Sequence, residues 1–179
     1  MTEMPGTLQV SLAALALIAA AFDLRYRRIP NWLAAAGLFV GFGLQFVFRG
    51  WAGLRDAAWG AALAFSVYFI LFALRAMGGG DVKLMAAVGA MAGPSNWFVI
   101  FLLGSIAGGV LAVILILAHG TLLRTVPNVL FVLGQLLLLQ PPHQTKPELD
   151  VSHPRAVTLP HAVSIAVGCL LFLLLARLR

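Results

Sequence analysis

Long apolar runs separated by short polar joins dominate this chain. Residues 4–22 are uncharged and stop at Asp23, residues 31–48 are uncharged from Asn31 to Phe48, and residues 57–74 form a third run. Each is close to the roughly 20 residues that a helix needs to cross a bilayer, which predicts three spanning helices. No charge then occurs from Leu84 to Ala118. A helix of that length would rise about 52 Å, well beyond a hydrocarbon core of about 30 Å. Gly93-Pro94-Ser95-Asn96 is a turn signal and divides the run into a fourth and a fifth helix. Residues 122–140 are apolar but carry Arg124, Pro127 and Asn128, residues 141–158 form a polar, proline-rich loop, and residues 159–176 make a last span. The expected fold is an all-α polytopic membrane protein, one domain over residues 1–179. It has six transmembrane helices, or seven if 122–140 also crosses. No basic stretch precedes the first run and no small-residue cleavage signal follows it, so the first helix is expected to be retained.

Composition narrows the function. The chain is 61% hydrophobic and only 10% charged, where a soluble domain carries about a quarter charged residues. A soluble enzyme, a disordered chain and a nucleic-acid-binding domain are thereby excluded. The net charge of +6 sits in the joins between apolar runs, where it reads as membrane topology and contact with acidic lipid headgroups. Arg25, Arg27 and Arg28 follow the first helix, and Arg75 and Lys83 follow the third. The positive-inside rule places both joins in the cytoplasm and the N-terminus outside. Arg49 and Arg55, offset by Asp56, give a weaker signal. The single cysteine, Cys169, permits no internal disulfide and no CxxC zinc pair. His119, His143, His153 and His161 have no metal-ligand spacing, so no metal is expected. Gly37/Gly41, Gly89/Gly93 and Gly104/Gly108 have the spacing that lets helix backbones approach closely. Trp32, Trp51, Trp59 and Trp97 lie near span ends and suit an interfacial belt.

Two of the six acidic residues stand apart. Glu3, Asp56, Glu148 and Asp150 fall in loops or at the terminus. Asp23 and Asp81 each sit where an apolar helix meets a cytoplasmic join, and two crossings between them put both on one membrane face. An ionisable group at membrane depth is expensive and marks function by default. From Asp81 to Gly93 a helix rises only about 20 Å. So either that helix extends through Trp97, or Asp81 starts below the interface with Gly78-Gly79-Gly80 as a non-helical entry, tolerated where it is buried or lines a wet cavity. Two carboxyls in a recessed, hydrated pocket can hydrolyse a peptide without metal or nucleophile. One activates water, and the other keeps its proton because both cannot ionise cheaply. Asp23 lies at a helix C-terminus and Asp81 at a helix N-terminus, so the dipoles assign the proton to Asp23. The structural alternatives are an ordinary N-cap for Asp81 and an Asp23–Arg27 pair one turn apart.

These residues carry a resemblance. Asp23-Leu-Arg-Tyr-Arg-Arg28-Ile29-Pro30-Asn31, followed by Gly78-Gly79-Gly80-Asp81-Val82-Lys83-Leu84, resembles the type IV prepilin peptidases. That family pairs an early aspartate in a D…R.IPN context with a GxGDxKL motif. A late LPYGxAI-like segment stands here as Leu159-Pro160-His161-Ala162-Val163-Ser164-Ile165. The resemblance implies a GxGD aspartic endopeptidase of the bacterial inner membrane. It would cut the leader from prepilin or pilin-like proteins at the cytoplasmic face. It makes Asp23 and Asp81 the catalytic pair, with Gly78, Gly79, Gly80 and Lys83 shaping the site. Arg27, Arg28, Asn31, Pro160 and His161 would then contact substrate or lipid. It implies no cofactor, a prepilin-like partner, membrane lipids and no nucleic acid. Larger members also N-methylate the product through a region with paired CxxC motifs. That region has no counterpart here, so cleavage without methylation and without zinc is expected, as in the small enzymes of tight-adherence (Flp) pili. The late motif lies near the aspartates in this family, which favours six spans with 122–140 at the interface.

Two other readings have different consequences. The aspartates of a transport or pilus-assembly subunit would relay protons or cations. A presenilin-type protease would share GxGD but cut inside a substrate's transmembrane segment. The short chain and the D…R.IPN context of the first aspartate speak against the latter. Ser66, Ser105 and Ser164 lack the GxSxG context of a serine hydrolase, and the glycine run lacks P-loop spacing.

Overall fold

The computed structural model describes residues 4–74, 77–118 and 161–178. The segment 122–140, the loop 141–158 and the histidines at 119, 143 and 153 lie outside the described residues. Within them the regular structure is helical, with no strand: α1 (Gly6–Tyr26), α2 (Asn31–Ala73), α3 (Gly79–Ala118) and α4 (His161–Arg177). The first three are long and apolar enough to cross a membrane, and α4 is a shorter apolar helix.

The join between α1 and α2 is set by local chemistry. Arg27 adopts a left-handed conformation (φ 52°) and its N–H closes on the carbonyl of Asp23 at 2.9 Å. Ile29-Pro30 then prevents continuation, because proline clashes with a helical residue before it. Pro30 instead opens α2, its carbonyl accepting the N–H of Leu33 at 3.1 Å.

With 43 and 40 residues, α2 and α3 would rise about 65 and 60 Å if straight. Each is interrupted at a single glycine, Gly50 (φ 56°) and Gly93 (φ 73°), in backbone regions that side chains disfavour. Contacts give each half its direction. Residues 31–49 run parallel to 79–92, with Asn31 at Lys83, Gly37 at Ala87 and Gln45 at Met91. Residues 51–73 run antiparallel to 79–92, with Gly60 on Gly89 and Tyr68 near Asp81. The chain therefore doubles back at Gly50. α1 is antiparallel both to residues 31–49, with Leu15 on Gly37 and Phe22 near Trp32, and to α4, with Asp23 at Ala162. Residues 94–118 are antiparallel to α4, with Gly108 on Ser164 and Gly104 on Gly168. The chain doubles back again at Gly93. Six segments thus alternate in direction.

The break expected at Gly93–Asn96 is present. The join expected over residues 49–56 contracts to Gly50 alone. Residues 51–55 are already helical, and an Arg49–Asp56 ion pair of 2.8 Å spans the reversal. Close helix approach is clearest where Gly60 and Gly89 meet backbone to backbone, as small residues allow. A Cβ added at Gly93 would meet nothing within 4 Å, so the role of this glycine is the reversal rather than packing. Trp97 is 1% exposed and stacks on Phe101, which removes it from the expected belt; Trp32, Trp51 and Trp59 face outward. The first half of α3 is the centre of the bundle: Val82, Leu84, Met85, Ala87, Val88, Ala90, Met91 and Ala92 are all buried. Phe39, Val47 and Ile106 project outward, as suits a lipid-facing surface.

Candidate active site

Asp23 and Asp81 come from helices separated by the whole of α2, and they end in one place. Both are buried, at 9% and 8% exposure. They lie close enough for their charges to interact, and His161 is within the same range of Asp81. Asp23 occupies the last turn of α1. Its Oδ2 accepts the backbone N–H of Ala162, at the head of α4, at 3.1 Å. Asp81 sits in the first turn of α3, and its N–H donates to the carbonyl of Gly78 at 3.1 Å. Each carboxylate therefore faces a helix N-terminus. The dipole argument for placing the proton on Asp23 considered only the end of α1; the head of α4 also faces that carboxylate.

The glycines shape this corner in different ways. Gly79 and Gly80 are helical, and only Gly78 lies outside α3, so the expected non-helical entry shortens to one residue. A Cβ on Gly78 would lie 3.4 Å from Oδ2 of Asp81, and one on Gly80 would lie 3.2 Å from Cβ of Ile29. Gly80 thus lets the Ile29-Pro30 join sit over the start of α3. Lys83 donates from Nζ to Oδ1 of Asn31 at 2.9 Å, tying the first turn of α3 to the first turn of α2. Arg27 caps α1. Arg28 lines an open groove of about 410 Å³ with Phe22, Tyr26, Ile29, Pro30 and Asn31. Pro160 lies outside the described residues.

A cavity of about 200 Å³ opens beside His161, which is within electrostatic range of Asp81; neither aspartate lines it. His161 and Tyr68 border it, with Met77, Gly104, Ser105, Gly108, Leu111, Ser164 and Ile165. Ser164 donates from Oγ to the carbonyl of His161 at 2.8 Å, so this serine fixes the head of α4. Among the described residues no group of three or more His, Cys, Asp or Glu is arranged to hold a metal ion. Two site components escaped the sequence reading. The N–H of Ala162 is a backbone group with no residue signature. Tyr68 follows Gly60 and Ala64, small residues that lie on Gly89 of α3, and a polar aromatic closing such a stripe was the available signal.

Residues 10–113, which include both aspartates, match the model of the type IV leader peptidase family. No protein of curated function and no solved structure matches the chain.

Proposed function

The chain belongs to the type IV leader peptidase family, and from that premise we propose that it is a membrane aspartic endopeptidase with Asp23 and Asp81 as its catalytic pair. Its substrates are prepilin or pilin-like proteins, cut at the cytoplasmic face of the bacterial inner membrane, and the new N-terminus is left unmethylated. The observation that carries this reading is the meeting of the two buried carboxyls at the heads of α3 and α4.

The chemistry needs one ionised and one protonated carboxyl. The ionised carboxylate takes a proton from water as the water oxygen bonds to the scissile carbonyl carbon. The carboxylic acid gives its proton to the carbonyl oxygen, and a tetrahedral diol results. On collapse, one diol proton returns to the carboxylate that gave up its own. The C–N bond breaks as the amide nitrogen takes the proton held by the other carboxyl. Both carboxyls then regain their starting states. The N–H of Ala162 holds one oxygen of Asp23 in place, which limits reorganisation during these transfers.

Six crossings fit the alternating segments. They bring the C-terminal end of α1 and the N-terminal ends of α2, α3 and α4 to one face, the cytoplasmic one by its arginines. Cleavage without methylation is the reading supported by the four-residue link between α1 and α2 and the single cysteine, Cys169. Co-expression with pilin-like precursors tests the proposal. A shortened product with the mass of an unmethylated N-terminus is expected. A whole panel of precursors left uncut, or a methylated product, would contradict it. Uncut precursors with aspartate-dependent proton flux in vesicles would point to the transport reading.

A further inference from the structure

Tyr68 is a polar side chain at the site that the aspartate pair leaves without a task. It is 5% exposed, and its ring packs edge-on against Phe101 with centroids 6.0 Å apart. Its hydroxyl is not one of the buried, unpartnered polar atoms among the described residues, which are Gln45 Oε1 and Trp97 Nε1. Packing of the ring does not call for the hydroxyl, which a phenylalanine at this position would lack. The same residue borders the 200 Å³ cavity, as His161 does, and lies within electrostatic reach of Asp81. Gly60 and Ala64 lie on Gly89 and press this face of α2 against α3.

We infer that the Tyr68 hydroxyl donates a hydrogen bond to the scissile carbonyl oxygen of the bound peptide. The inference rests on the peptidase reading. Tyr68 forms no covalent bond and keeps its proton throughout. Its contribution is to hold the carbonyl and to stabilise the charge that builds on that oxygen as water attacks. Tyr68 becomes a third catalytic residue.

The test uses the purified full chain in lipid nanodiscs with a synthetic pilin-like precursor. Tyr68→Phe keeps the ring and its contact with Phe101 and removes only the hydroxyl. A fall in kcat of about 10²-fold with KM unchanged is expected, the size seen when one donor to a developing oxyanion is lost. Tyr68→Met, a second hydroxyl-free variant, should fall alike and decides the matter if the phenylalanine variant does not accumulate. A transition-state analogue with an sp3 hydroxyl at the scissile position should lose affinity by a similar factor, while the product peptide binds as before. A purely structural role would not separate those two ligands. A hydroxyl-free variant at wild-type kcat, or equal losses for analogue and product, would overturn the inference. Asp81→Asn serves as the control. If that variant cleaves normally, the aspartate reading itself falls. If it is inert while Tyr68→Phe runs at full rate, only the role of Tyr68 falls.

Discussion

Gly60 is where the packing of this bundle can be turned into a number. A Cβ added there would lie 2.9 Å from the carbonyl carbon of Gly89 and 3.0 Å from that of Gly93, and nearer still to the Gly89 carbonyl oxygen. Carbon atoms in contact sit about 3.5–4.0 Å apart. The obstructing atoms are backbone, so no side chain can swing aside. Gly60→Ala must therefore part α2 from the first half of α3 by about 1 Å to restore that spacing. Overpacking of this kind costs about 1–3 kcal/mol. The displaced segment carries Asp81, whereas Asp23 is anchored on α1 and α4. A misplacement of about 1 Å between reacting groups costs on the order of 10²-fold in rate. Unfolding in detergent and precursor cleavage measure the two effects separately. Gly43→Ala is the control, since nothing lies within 4 Å of the new methyl. It should gain up to about 1 kcal/mol from helix propensity and leave cleavage unchanged. If Gly60→Ala matched the wild type in both assays, the backbone-to-backbone contact would be wrong, and with it the way α2 positions Asp81.

Two further perturbations separate other contributions. Lys83→Met and Asn31→Ala remove the two ends of one exposed hydrogen bond, so each should cost about 0.5–1 kcal/mol after allowance for solvent. The double variant should cost no more than either, and additive losses in unfolding experiments would show that the two residues act independently. Gly93→Ala meets no neighbour, so its cost is that of forcing a side chain into a glycine conformation, about 1–3 kcal/mol; an unchanged unfolding midpoint would contradict the reversal at that residue.

Much of the architecture was legible in charge alone. Pro30 marks the end of the first join, but α1 runs through the charges at Asp23 and Arg25 to Tyr26, so charge placed its end only to within a turn; Gly93-Pro94 marks its own turn. The reversal at Gly50 was legible only as a diffuse polar stretch. Arg49, Arg55 and Asp56 look like a loop, yet one glycine with positive φ makes the turn and the ion pair lets helix resume at once. The Gly60–Gly89 contact was half visible. Gly89 belongs to a GxxxG pair, but Gly60 alternates with alanines and shows the pattern only if alanine counts as small. At the site, both aspartates could be found because carboxylates are scarce and expensive in a membrane. The contact of α4 with Asp23 could not, because its donor is a backbone N–H that lies 139 residues away in the chain. Lys83 had a motif but no derivable role until Asn31 was found beside it.

The central claim is that Asp23 and Asp81 act as one catalytic pair. Its most direct test is single-turnover cleavage of a synthetic precursor by the purified chain and by Asp23→Asn, Asp81→Asn and the double variant, all confirmed to be folded in nanodiscs. The account predicts that each single variant loses cleavage by at least about 10³-fold and that the double variant loses no more than either, as for residues that act as a unit. Cleavage at the wild-type rate by either single variant would contradict it.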